Sequence, residues 1–215
     1  MISHEQARDF YDKFGSKQDW QRFYEDPAVD DLIAHLSLGT SRRVIEFGCG
    51  TGRVAEGLLE NHLPPQASYL GLDVSSTMAE LAQRRLERFG PRAKVLLTEG
   101  ETHLDVQACS FDRYLSTYIL DLLTERDIRS LVADAHRTLA PCGLLGLVSL
   151  THGFTIVSRI SETAWLSIYR VRPKLLGGCR PISLGEFVTG GWNIRHQTRI
   201  TSFGVPSEIL VAEKV

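Results

Sequence analysis

Residues 44–53 read Val-Ile-Glu-Phe-Gly-Cys-Gly-Thr-Gly-Arg, and they limit this chain more than any other segment does. Two apolar residues run into Glu46. Glycines follow at 48, 50 and 52, and Val54, Leu58 and Leu59 then begin a helical apolar face. The pattern is a strand, a tight glycine turn and a helix N-terminus. Such a turn lets a ligand approach the backbone, because glycine has no Cβ and tolerates positive φ.

Strands and helices alternate from there on. Val44–Phe47, Tyr69–Val74, Lys94–Thr98, Phe111–Leu120 and Leu144–Leu150 read as strands one to five. Ser75 caps a helix carrying Met78, Leu81, Ala82, Leu86 and Phe89. Thr124 and Asp127 open another with Ile128, Leu131, Val132, Ala135 and Leu139. This alternation predicts a parallel sheet with helices on both faces. Trp192–Phe203 and Ser207–Val215 are joined by Gly204-Val205-Pro206, and so short a turn permits only an antiparallel hairpin. About forty residues precede the first strand. Ser3 with Gln6 forms a capping box, and Ala7, Phe10, Tyr11 and Phe14 follow at helical spacing. Trp20, Phe23 and Tyr24 make an aromatic stripe, and Asp26-Pro27 restarts a helix that Gly39 closes.

The glycine turn suits two ligands. A dinucleotide fingerprint needs its third glycine at position 53, where Arg53 stands, and Glu46 would repel a pyrophosphate. A carboxylate closing the first strand suits a cationic ligand instead. The segment resembles motif I of the class I S-adenosylmethionine (SAM)-dependent methyltransferases, [VIL]-[LV]-[DE]-x-G-x-G-x-G. The resemblance runs from about residue 40 to the C-terminal hairpin. It implies an α/β, Rossmann-like, seven-stranded sheet, mostly parallel with a C-terminal antiparallel hairpin, helices on both faces and an N-terminal helical lid. One domain is expected over 1–215: a lid at 1–40, a SAM-binding core at 41–150, a substrate-side helix and loop at 151–191, and the hairpin at 192–215.

Carried over residue by residue, the resemblance implies a cofactor site. Asp73, closing strand two, would accept both ribose hydroxyls, since one carboxylate can take two hydrogen bonds from a diol; its other reading is a helix cap. Val74 and Met78 would flank the adenine, although Met78 also suits plain core packing. Gly100-Glu101-Thr102 resembles the family's Gly-Asp-Ala, with Glu101 accepting from the adenine amine and Glu99 the alternative if the register slips. Ser116 and Thr117 would hold the methionine moiety. Glu46, with Gly48, Cys49 and Gly50, would face its ammonium, and Tyr11 would close over it. Phe111-Asp112 and the Arg137–Gly143 turn match structural positions of the family, with Cys142 in place of a glycine. Pro141-Cys142 follows the wrong helix to be the nucleophile of a cytosine C5-methyltransferase. The motif of exocyclic-amine DNA methylation is absent from the sequence.

Methyl transfer is an in-line displacement that depends mainly on alignment, with a base needed only where the acceptor loses a proton. Tyr118 and His152 are the expected catalytic candidates. Asp121, set among leucines, fits a helix cap or ion pair as well as a base. Tyr11, Tyr118, His152 and Arg180 are the expected acceptor contacts; for His152 and the Arg170–Arg180 cluster the competing reading is a solvated surface. Arg180, between Gly177-Gly178-Cys179 and Pro181, would bind a carboxylate or phosphate through its planar fork.

Composition narrows the partners. With 24 Lys and Arg against 26 Asp and Glu, nothing in the bulk charge favours nucleic acid or an anionic membrane. Four scattered cysteines, 49, 109, 142 and 179, show no metal-ligand spacing, so no metal is expected. No basic region followed by an apolar run begins the chain, and the expectation is a cytoplasmic monomer or homodimer acting on a small acceptor, with an anionic one the option that Arg180 raises. A SAM- or S-adenosylhomocysteine-binding module without catalysis would share these motifs. A nicotinamide-dependent oxidoreductase of the short-chain type would need a Tyr-x-x-x-Lys pair, which the sequence lacks.

Overall fold

The structure is a computed structural model, described here for residues 22–154 and 179–215. Tyr11, Phe10, Phe14 and Trp20, and the segment with Trp165, Ile168, Tyr169, Arg170, Arg172 and Lys174, lie outside the described residues.

In chain order the elements are α1 (Arg22–His35), β1 (Arg43–Phe47), α2 (Arg53–Gly57), β2 (Ser68–Asp73), α3 (Ser76–Leu86), β3 (Ala93–Leu97), β4 (Phe111–Thr117), α4 (Glu125–Thr138), β5 (Leu139–Leu150), β6 (Trp192–Ser202) and β7 (Val205–Lys214). All seven strands form one sheet in the order β3-β2-β1-β4-β5-β7-β6. The first five are parallel; β7 runs antiparallel to both β5 and β6. This is the Rossmann-like mixed sheet that the alternation predicts.

The β1 residues point to opposite faces, as a period of two requires. Val44 joins an apolar layer with Leu32, Leu36, Leu58 and Ala82. Ile45 and Phe47 join a second layer with Ile128, Leu131, Leu139 and Leu184. Both sheet faces are therefore covered, and each fully buried Leu or Ile contributes about 1.5–3 kcal/mol relative to exposure. Helix α1 lies directly on the sheet: a Cβ on Gly146 of β5 would come within 2.9 Å of Leu36 and 3.0 Å of Leu32. Arg113, at the start of β4, fastens the end of the same helix, donating to the carbonyls of Leu36 at 2.6 Å and Ser37 at 2.8 Å.

Four boundaries differ from expectation, each for a local reason. Helix α1 is already under way at Arg22, the first described residue, and carries Pro27 inside it rather than beginning there. Strand β5 extends back to Leu139 through an irregularity in its pairing with β4, and Cys142 takes a left-handed φ of 60° where the family resemblance has glycine. Strand β4 stops at Thr117, and Leu120–Leu122 forms a short helical turn. The hairpin turns on Phe203-Gly204, both at positive φ (52° and 83°), because Ser202 pairs with Val205. Two positive φ values match the twist that two-residue hairpins favour, so Pro206 falls in the first pairs of β7 instead of in the turn.

Candidate functional site

In a doubly wound sheet, ligands bind beyond the carboxyl ends of the strands, where the strand order reverses. Here the reversal lies between β1 and β4. A cleft opens there, with Glu46 and the 48–51 loop on one side, Thr117 and Tyr118 on another, and Glu25 and Val29 of α1 above.

The glycine loop forms one wall. Gly48, Gly50 and Gly52 have φ of 77°, 53° and 75°. A Cβ at Gly48 would fall 2.3 Å from Ile119 Cγ1, and one at Gly52 would lie 3.0 Å from the Ala82 backbone of α3. The loop thus needs glycine both for its dihedrals and for its close approach to neighbours. It is held by two backbone bonds to Leu72 and by Asp73. The N–H of Gly48 donates to the Leu72 carbonyl at 2.8 Å. Gly50 N–H donates to Asp73 Oδ2 at 2.8 Å, and Ser75 N–H donates to Asp73 Oδ1 at 2.9 Å. Ser75 in turn caps α3 by accepting from Met78 N–H at 3.1 Å. Asp73 therefore positions the glycine loop while Ser75 does the capping.

Buried acidity dominates the cleft's electrostatics. Glu46 is 1% exposed and accepts from the Tyr69 hydroxyl at 2.5 Å. Burial raises its carboxyl to about 7, with Asp73 adding to the rise and the Tyr69 bond and Arg53 opposing it. Glu25 is likewise raised to about 7 by burial, against the pull of Arg53. Arg53 itself reaches Glu25 Oε2 at 3.2 Å and Asp26 Oδ1 at 2.5 Å, joining the N-terminus of α2 to α1. Glu25 and Glu46 thus share the Arg53 guanidinium, while buried Asp73 adds a further negative charge beside Glu46. A lining of that sign suits a cation such as an ammonium or sulfonium, and opposes a pyrophosphate. On this chemistry the residues present fit SAM.

Tyr118 separates this cleft from a second cluster. It has φ of 56°, a strained value for a residue with a bulky side chain. Its ring meets Tyr24 edge-on at 6.1 Å, its hydroxyl lies 2.9 Å from Ser207 Oγ, and its N–H donates to the Val148 carbonyl. Burial raises the phenols of both Tyr118 and Tyr24. Beyond lies Asp121, 1% exposed, whose Oδ2 has no hydrogen-bond partner among the described residues. Burial raises its carboxyl to about 6, against bonds from Ser149 and Cys179 and the charge of Arg180. Arg180 gives its backbone N–H to the Asp121 carbonyl and a side-chain N–H to the Leu123 carbonyl, both at 3.1 Å, while its buried Nε–H has no partner among the described residues.

The fold brings Glu46, Gly48, Cys49, Gly50, Thr117 and Tyr118 to one cleft, with Asp73 tied to its edge. Ser116 faces the sheet instead: its hydroxyl donates to the Phe47 carbonyl at 3.0 Å. Met78 is 1% exposed, inside the protein, and Val74 is half-buried beside it in the chain. Gly100 takes φ of 96°, and Glu101 is exposed, accepting from Glu99 N–H at 2.8 Å. Thr102 donates to Ser130 at 2.8 Å. His152 is exposed past the end of β5 and is not part of the cleft wall. Glu25, Arg53 and Tyr24 were not among the expected site residues. The one signal for Arg53 was a cation immediately after the third glycine; Glu25 and Tyr24 carried none.

The chain is similar to known methyltransferases in sequence and in fold. Residues 44–143 match the model of a family described as a methyltransferase domain. An uncharacterized methyltransferase of Oceanobacillus iheyensis is 23% identical over 153 residues, covering 65% of this chain and 66% of the relative. A trans-aconitate 2-methyltransferase of Methylobacterium nodulans is 43% identical over 60 residues, which is 28% of this chain and 22% of that protein. The match thus spans about two thirds of the first relative's length and about a fifth of the second's. In fold, the chain resembles the cyclopropane synthase MmaA2 from Mycobacterium tuberculosis, with TM-score 0.72, 17% identity and 99% of both chains covered.

Proposed function

We propose that this chain is a class I SAM-dependent methyltransferase, which takes SAM as its methyl donor and delivers the methyl group to an oxygen or nitrogen of a small, anionic acceptor. The observation that carries the acceptor's charge is Arg180, whose buried Nε–H has no partner among the described residues. An unsatisfied buried donor costs free energy that a carboxylate would recover. The match to an enzyme named for trans-aconitate, a small acid, agrees with this.

When bound, SAM supplies an electrophilic methyl group on a sulfonium. The chain's own residues then have distinct proposed tasks. Asp73 accepts from the ribose hydroxyls while holding the glycine loop. Glu46 and the backbone around Gly48–Gly50 face the ammonium. Tyr24 and Tyr118 wall off water. Burial keeps the Tyr118 phenol protonated at neutral pH, so its proposed role is to donate a hydrogen bond that orients the acceptor. A carboxylate acceptor would need no base. For a hydroxyl or ammonium acceptor, Asp121 is the proposed proton acceptor, since its carboxyl is raised to about 6. His152 has a proposed place at the acceptor's entrance. The aromatic segment before α1, including Tyr11, is proposed as the lid.

The test is transfer of labelled methyl from SAM to a panel of mono-, di- and tricarboxylates, amines and phenols, with SAM and NAD(H) titrated by calorimetry alongside. Methylation of an acid, with KM raised about tenfold or more in Arg180→Met and SAM affinity unchanged, is expected. Binding of NAD(H) without SAM would overturn the proposal. Binding of SAM with no transfer to any acceptor would reduce it to a non-catalytic module.

A further inference from the structure

A separate convergence of ligating side chains lies further along α1, where that helix crosses β6. Asp31 and His35 are one helical turn apart, so both project from the same face. His196 follows an irregularity between Ile194 and His196 in the β6–β7 pairing, a device that re-aims a side chain. The three come together across 165 positions of sequence: His196 Nε2 lies 2.7 Å from Asp31 Oδ2. The imidazoles of His35 and His196 stack with centroids 3.6 Å apart and planes 4° from parallel. One potential ligand atom from each residue lies within 4.8 Å of the other two.

An ion pair between His196 and Asp31 accounts for two of these groups but leaves the stack unexplained. His35 Nδ1 lies 2.8 Å from the Asp31 carbonyl oxygen and can only donate to it, which leaves Nε2 as that ring's ligating atom. Two imidazoles and one carboxylate are a donor set for a first-row divalent transition ion.

We propose that Asp31, His35 and His196 bind one divalent transition-metal cation of the zinc class, with water completing its coordination. The metal takes the place of the proton between His196 Nε2 and Asp31 Oδ2: a neutral His196 keeps that proton by moving it to Nδ1, and an imidazolium releases it to solvent. His35, the most exposed of the three at 42% of its side chain, turns about its Cβ–Cγ bond to aim Nε2 at the ion. The site clamps α1 to β6. It is independent of methyl transfer, since none of its ligands lines the SAM cleft.

The test uses the full chain without an affinity tag. Zn²⁺ is titrated by calorimetry, Co²⁺ serves as an absorbance probe of coordination, and thermal unfolding is followed with and without Zn²⁺. Uptake of one ion per chain with a rise in Tm is expected. His196→Gln, Asp31→Asn and His35→Gln should each weaken it about tenfold or more, and His62→Gln should not. His35 is exposed, so its variant keeps the test decisive should the His196 variant fail to fold. Absence of one-to-one uptake would overturn the proposal. So would equal affinity in wild type and His35→Gln, or equal weakening in His62→Gln.

Discussion

The backbone N–H of Gly50 and the carboxylate of Asp73 meet at 2.8 Å, so one side chain at the end of β2 sets the shape of the loop after β1. Its other oxygen holds Ser75 N–H at the start of α3. Two ligand-facing segments are thereby locked to each other before any ligand arrives.

Replacing Asp73 with Ala removes charge-assisted bonds to two buried N–H groups, each worth about 1.5–3 kcal/mol. SAM affinity should fall about tenfold to a hundredfold, and the denaturant midpoint should also fall. Calorimetry and urea unfolding measure the two losses. Unchanged SAM affinity would remove Asp73 from the site.

The buried carboxyls of Glu46 and Glu25 make stability depend on pH. Both are raised from the usual 4.5 to about 7, so between those values the folded chain binds more protons than the unfolded one. Stability should therefore be full below about pH 4.5, as far as these two groups are concerned, and decline as pH rises through about 7. A cationic ligand prefers the ionised form, so SAM affinity should rise over the same range. Glu46→Gln should flatten both profiles. Tm and Kd measured from pH 5 to about 8 decide it.

The Glu25–Arg53 contact couples α1 to α2 across the cleft. Arg53→Met leaves a buried carboxylate without its partner and should cost about 1–3 kcal/mol. Glu25→Gln should cost less. The double variant should show a coupling energy of about 0.5–3 kcal/mol in a thermodynamic cycle, read from denaturant midpoints. Additive losses would mean that the pair holds nothing together.

Cys142 occupies a left-handed conformation on the exposed side of β5. Glycine there carries no Cβ penalty, so Cys142→Gly should stabilise the protein by about 1 kcal/mol and leave SAM affinity alone. Differential scanning calorimetry would detect the shift in Tm.

The sheet and the glycine loop were legible because their signals are local. Buried parallel strands write themselves as apolar runs, and Gly48, Gly50 and Gly52 mark a turn wherever they occur together. Asp73 could be found as a carboxylate ending a strand. Glu25 could not, because its meaning depends on Arg53, 28 residues away on another element. The Asp31–His35–His196 cluster was invisible for the same reason, since only the crossing of α1 over β6 joins its halves. Pro27 and Pro206 misled locally. Proline marks a break in an isolated stretch, whereas here α1 is pinned to Gly146 and β7 is paired on both sides.

The position of β7 bears on how the chain is made. It follows β6 in sequence, yet it lies between β5 and β6 and supplies Ile209, Leu210, Val211 and Ala212 to the two buried layers. A ribosome emitting residues one at a time must release residues 205–214 before the sheet can close. Until then β5 presents an open edge and β6 has no neighbour within the sheet. Closure of the sheet therefore waits on the β6–β7 hairpin, and the interval before that hairpin emerges is when an exposed β5 edge most needs a chaperone.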